Sequence, residues 1–135
     1  MIGEKIFIIE GDWELLAFGK SPFGDRNDFK LTGTVNGKVK GTFSGTDYSL
    51  TNNEGVVLVH AHDSIFTVEG EKISMFRQGF AIPKPSGAYD IHLFATFMTG
   101  SPKYYWLNYV LATIEGEGSP NKKPNLYLEV YEWKK

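Results

Sequence analysis

Apolar and polar residues alternate along most of this chain with a period of two, the pattern of strands whose successive side chains point to opposite faces. Turn residues break the alternation into eight segments: 4–19, interrupted at Gly11-Asp12, then 28–35, 38 to about 50, 56–68, about 72–80, 88–98, 103–115 and 125–134. Asn36-Gly37 lies between Leu31–Val35 and Lys38–Phe43. That placement predicts a type I′ hairpin, whose two central residues take positive φ. Further turns are expected at Thr51–Gly55, Glu69–Lys72, Pro83–Gly87, Gly100–Pro102 and, as a longer loop, Gly116–Pro124. Residues 103–114 also admit a helical reading, but the run Tyr104-Tyr105-Trp106 favours a strand.

Eight consecutive strands with short connections describe an all-β meander, and a meander of this length avoids exposed edges by closing on itself. The expected fold is therefore a single-domain antiparallel up-and-down β-barrel of about eight strands spanning residues 1–135. A barrel of eight strands has an interior either filled by side chains or able to hold one small ligand. Several segments are apolar on both faces: Ile6-Phe7-Ile8-Ile9, Val56-Val57-Leu58-Val59, and the last strand with Leu126, Leu128 and Val130 opposite Tyr127, Tyr131 and Trp133. An apolar outer wall calls for a cover, most simply a second copy of the chain, so a homo-oligomer is expected, with a dimer favoured.

Composition narrows the function classes. With 135 residues the chain is one domain by size, and its 14 basic and 16 acidic residues leave no excess of positive charge. Nucleic-acid binding driven by net charge is thereby excluded, because it depends on a concentrated basic face. Cysteine is absent, so disulfides, thiol nucleophiles and thiolate metal sites are excluded. No apolar run approaches the length of a signal peptide or spanning helix, which places the expected protein in the cytoplasm, with no membrane partner.

Three histidines carry the most chemical information. His60 and His62 are two apart and share a face of the fourth strand, and His92 lies on the sixth, two residues from Asp90. Turned inward together they would hold a zinc or iron ion, or supply a general acid and base near neutral pH. The competing reading makes them surface residues or hydrogen-bonded core residues, because a His-x-His pair is common by chance. Asp47, beside Gly45, is read as a buried carboxylate that orients a histidine or binds a ligand hydroxyl, or else as an acid bonded to turn backbone. Arg77, mid-strand between Phe76 and Gln78, is placed to pair with Asp47 or a ligand carboxylate, against the alternative of an exposed strand arginine. Gly11-Asp12-Trp13 and Thr46-Asp47-Tyr48 match lipocalin motifs individually, but the second falls far too early in the chain. Residues 20–28 are too short for the helix pair of a fatty-acid-binding protein. Gly116-Glu117-Gly118 lacks the strand-to-helix context of a phosphate loop.

Taken in order, several stretches resemble the family described only as domain of unknown function 3237. They are Gly24-Asp25-Arg26, Leu31–Val35, Gly41-Thr42-Phe43-Ser44-Gly45-Thr46-Asp47-Tyr48, Gly55, Phe97-Met98-Thr99-Gly100 and Tyr105-Trp106-Leu107-Asn108. The spacing holds from about residue 5 to residue 133. The resemblance implies an eight-stranded antiparallel barrel, with a reaction not established for most members, some of which occur in aromatic or polyketide metabolism. It carries over Arg26, Asp47, Trp106 and Asn108 as pocket positions. The chain departs from the family where an acid-x-Arg-Tyr pattern is expected on the fourth strand and His60-Ala61-His62-Asp63 stands instead. His92 falls where an arginine is common, and Met98 where a glutamate is common. The histidines thus replace a charged set expected inside the barrel.

These readings converge on a small-molecule barrel whose pocket holds His60, His62, His92, Asp47, Trp106 and Asn108, with Arg26 and Arg77 as further ligand contacts. In its enzymatic form a histidine moves a proton on a cyclic or aromatic metabolite, as in isomerisation, cyclisation or decarboxylation. That chemistry calls for no cofactor, a metal on the three histidines being the lesser reading. The alternatives are a non-catalytic binding protein with the same pocket, and a structural oligomer with a filled barrel.

Overall fold

Along β4 (Val57–Thr67) every odd residue is buried and every even residue is exposed, as expected of a strand with one face on a core and the other on solvent. The same parity runs through β5 (Lys72–Pro83) and β6 (Tyr89–Met98). In the computed structural model, which describes residues 1–134, these strands join β1 (Ile2–Ser21), β2 (Gly24–Gly37), β3 (Gly41–Thr51), β7 (Ala112–Gly118) and β8 (Leu126–Trp133) in one closed barrel. Every neighbouring pair is antiparallel and follows chain order, and β1 closes the ring on β8 from Phe7 opposite Val130 to Gly11 opposite Leu126. The fold class expected from the alternation is the fold observed, and among the described residues no helix is long and apolar enough to cross a membrane.

Two local expectations need correction. The Asn36-Gly37 hairpin is present but is not a two-residue type I′ turn. Only Gly37 takes a positive φ (152°), and the β2–β3 ladder ends at Val35 opposite Gly41. The wider connection lets Val39 fold back into the end of the barrel, where it is fully buried. Burying a valine contributes about 1.5–3 kcal/mol, more than a tight turn offers. The seventh strand begins only at Ala112, because residues 105–109 form a 3₁₀ turn. Tyr104, Leu107 and Val110 are spaced by three, the period of that helix, and all three are buried. They cap the same end of the barrel as Val39.

The interior is therefore filled at one end only. Around Val35, Ile65, Ile73, Met75 and Phe97 the side chains are 0–2% exposed, whereas Val57, Val59, Ala81, Ile91 and Leu93 near the other end retain 6–8%. The β1–β2 hairpin rises beyond the open end, since β1 pairs with β8 only as far as Gly11 while its ladder with β2 continues to Ser21.

Gly45 marks the boundary between the filled and open halves. A Cβ there would lie 2.1 Å from the Asp63 Oδ1 atom and 2.5 Å from the His62 carbonyl oxygen, so the position accepts no side chain. Gly45→Ala is expected to cost about 1–3 kcal/mol as an overpacking change, read as a lowered urea midpoint; an unchanged midpoint would show that the Asp63 carboxylate moves freely.

Candidate ligand-binding cavity

The register of β3 to β7 sets the floor of the open half. Asp47 stands opposite Ala61, Ala61 opposite Arg77, Arg77 opposite Ala95 and Ala95 opposite Ala112. Three alanines in one inward-facing layer leave the volume that the Arg77 side chain occupies. One layer deeper, the missing side chain at Gly45 makes room for Asp63, and Arg77 Nε donates to Asp63 Oδ2 (2.5 Å) while Nη2 donates to Oδ1 (3.1 Å). Both side chains are almost entirely buried, at 3% and 0% exposed. Such a forked pair satisfies both charges in a setting where either alone would be costly. Burial by itself would push the Arg77 guanidinium down, but Asp63 and, further off, Asp47 outweigh it and hold it above its ordinary value.

Asp47 is held differently. Its Oδ1 accepts the backbone N–H of His60 at 2.8 Å, at the point where the β3–β4 ladder is open between Asp47 and Leu50. The carboxylate takes the place of a strand carbonyl there. The Ser49 carbonyl on that stretch accepts instead from Arg26 Nη1 at 3.0 Å. Burial pushes the Asp47 carboxyl above its ordinary value, with the His60 N–H and the Arg77 charge acting in the opposite direction. Asp47 and Arg77 thus place an acid and a base-stabilising cation side by side on the floor of the cavity.

Above them lies a cavity of about 360 Å³, within the range of small-molecule sites. Its wall is apolar, with Leu31, Val57, Val59, Ile91, Leu93 and Leu126 around it, and its mouth is aromatic, with Trp13, Phe29 and Tyr89. Trp13 meets Phe29 edge-on at 5.6 Å between centroids, and its backbone N–H donates to Asn125 Oδ1. Asn125 in turn donates to the carbonyls of Ser119 and Lys122, tying the β7–β8 loop to the rim. Asp25, Asn27 and Thr51 add polar groups at the mouth, and Leu15 from the projecting hairpin overhangs it.

Of the expected site residues, Asp47 and Arg77 come together in this cavity. The others do not. His60, His62 and His92 are on the outer wall, because their strands turn the apolar odd series Val57–Ile65 and Ile91–Phe97 inward. β5 separates His92 from the other two, so the three-histidine metal site is not formed. Among the described residues no group of three or more His, Asp or Glu side chains is placed to hold a metal. Arg26 lies on the rim rather than in the cavity, donating to the Asn27 and Ser49 carbonyls and to Asp28. Trp106 and Asn108 belong to the 3₁₀ turn at the opposite, closed end. There the Asn108 carboxamide receives the Thr99 N–H and donates to the Thr99 and Tyr105 carbonyls, a structural clamp. Sequence reasoning missed Trp13, Phe29, Tyr89 and Asp63; once Asp47 is taken as inward, strand parity and register lead to all four, Trp13 through its place opposite Leu31.

The chain is thus a closed eight-stranded barrel, packed at one end and hollow at the other, with a buried Asp and Arg between. No family model matches the chain, and no curated protein does either. Solved structures do. A protein of unknown function from Clostridium acetobutylicum superposes with a TM-score of 0.84 at 22% identity, covering 97% of this chain and 98% of its own. A β-barrel-like protein from Acinetobacter baumannii gives 0.82 at 20% identity, covering 99% and 96%. A structure described as an enzyme from Penicillium herquei gives 0.77 at 27% identity, covering 97% and 92%.

Proposed function

We propose that this chain is a small-molecule-binding barrel of the kind its sequence resembles, acting as a cofactor-independent acid/base enzyme on a cyclic or aromatic metabolite in the cytoplasm. The observation that carries the reading is Asp47: a carboxyl with its proton affinity raised by burial, facing an apolar cavity beside a fixed cation. A buried acid poised in this way both gives and takes a proton, and Arg77 lies where a developing enolate or phenolate oxygen would need a positive charge. Trp13, Phe29 and Tyr89 supply flat apolar surface for a ring. The solved structure from Penicillium herquei, described as an enzyme, supports the catalytic form of the reading.

Arg77 is already neutralised by Asp63, and Asp25 and Asp47 add carboxyls, so the site favours a neutral hydroxylated ring over a free carboxylate. The experiment is native mass spectrometry of the chain against a panel of hydroxylated cyclic and aromatic metabolites. One ligand per chain is expected; chromatography of the released compound is expected to show an isomer, or its mass a product lighter by water or carbon dioxide. Retention of a ligand unchanged, with an affinity indifferent to pH, would replace the enzyme by a binding protein. Failure of every compound, together with raised stability of the cavity-filling Leu93→Trp chain, would make the barrel structural.

A further inference from the structure

The outer wall is divided into two unlike halves. On β1, β2 and β8 the outward positions carry Glu10, Glu14, Lys30 and Glu129 among others. On β3 to β6, between Lys72 at one end and Asp90 at the other, the outward positions hold no Lys, Arg, Asp or Glu at all. They hold Tyr48, Leu58, Phe76, Phe80, Phe94 and Met98, each between 36% and 65% exposed. His62 lies within this patch, its ring 3.8 Å from that of Phe76 and 6.2 Å from that of Tyr48. His60 stands beside it, 6.0 Å away.

We propose that the β3–β6 wall is the contact surface for a second copy of this chain, and that protonation of His60 and His62 opens the pair. Two features choose a copy over a different partner. Across a two-fold axis the residues nearest the axis meet their own copies, where a fixed charge would face its equal, so the centre of an isologous contact is served by an uncharged patch. A different partner would be recognised by complementary charge, and the patch offers none. The size also fits: at roughly 200 Å² for each large side chain, the six named residues leave about 600 Å² open. The histidines and hydroxyl side chains between them extend this to about the 800 Å² per partner of a standard interface.

The pH dependence follows from what faces each imidazole. His60 has Tyr48 on β3, Gln78 on β5, and Leu58 and His62 along its own strand; His62 has Thr46 on β3, Phe76 on β5, and His60 and Ser64 on its own strand. Asp47 is the one carboxylate near either ring: it accepts the His60 N–H from the inner side of the wall and partly offsets a charge on His60. None stands beside His62, so a proton gained there is a charge without a counter-ion, buried at the contact, and a second proton on His60 adds repulsion between the two rings. His92 differs, because Glu115 stands opposite it on β7 and Asp90 is two residues away; it is not part of the switch.

Sedimentation velocity at pH 8 and pH 5 tests both parts. A dimer is expected at pH 8, and its dissociation constant is expected to rise at least tenfold at pH 5. Phe76→Glu is expected to give a monomer with an unchanged strand spectrum in circular dichroism; if that chain does not fold, Phe94→Lys reads the same contact. Thr34→Glu, on the charged half of the barrel, is expected to leave the dimer intact. The His60→Gln, His62→Gln double variant is expected to stay dimeric at both pH values. A monomer at pH 8, or a dimer that survives Phe76→Glu and Phe94→Lys, overturns the assignment of the surface. A native dimer equally tight at both pH values overturns the switch.

Discussion

Asp47→Asn is expected to lose about 10²- to 10⁴-fold of turnover, the usual worth of a positioned acid or base, while melting no lower than the parent at pH 7. The substitution keeps Oδ1, and with it the acceptor for the His60 N–H, so the open stretch of the β3–β4 ladder stays satisfied. It removes only the ionisation. Because burial raises the carboxyl's proton affinity in the folded chain, the folded state holds that proton to a higher pH than the unfolded chain does. The parent therefore loses stability as pH rises from the ordinary carboxylate range to the raised folded value, and carries the full cost above it. The variant escapes that cost: parent and variant should match at pH 3, with the variant melting higher at pH 7. Full turnover in the variant would remove Asp47 from the chemistry. A variant that melts lower only at pH 7 would mean that attraction to Arg77 outweighs burial.

The second large effect belongs to Asp63. Asp63→Ala leaves the Arg77 guanidinium buried without its forked partner, and such a loss costs about 3–5 kcal/mol, measurable as a fall in the urea midpoint with an unchanged slope. Removing both charges should cost far less: Asp63→Leu with Arg77→Met is expected to recover most of the stability, since a buried pair roughly breaks even against apolar side chains of similar size. The recovered chain would still lack its cation on the cavity floor and should bind ligand poorly. An Asp63→Ala cost below about 1 kcal/mol, against the range for a broken buried pair, would show Arg77 re-pairing with Asp47.

Much of this architecture was legible from residue order, and the parts that were not have a common cause. Period-two alternation located the strands because each has one face on a core, and the absence of open edges implied closure. The inward reading of the histidines rests on the family resemblance, because β4 begins with Val56-Val57-Leu58-Val59, where parity is silent. The sixth strand was less ambiguous, since Ile91, Leu93, Ala95 and Phe97 form an unbroken apolar series that leaves His92 outside. The 3₁₀ turn at 105–109 was read as strand because its aromatic residues favour strands locally, whereas burial every third residue at Tyr104, Leu107 and Val110 decides otherwise. Asp47 and Arg77 stand out in the sequence because a charged residue in mid-strand is costly to bury, and the structure shows both to be buried. Asp63 was overlooked because its partner Gly45, an empty position, shows its meaning only once the strands are paired.

The one-sided filling of the barrel has a consequence for how such a protein changes over generations. Folding strength is lodged in the plug formed by Val39, Leu107 and the layers around Met75, while the mouth of the cavity lies at the other end of the barrel. Substitutions among the half-buried Trp13, Phe29 and Tyr89 draw less on the stability that keeps the chain folded than changes in the fully buried plug do. A scaffold divided in this way can change its mouth without rebuilding its plug, and solved structures that share the shape at 20–27% identity need not share a function.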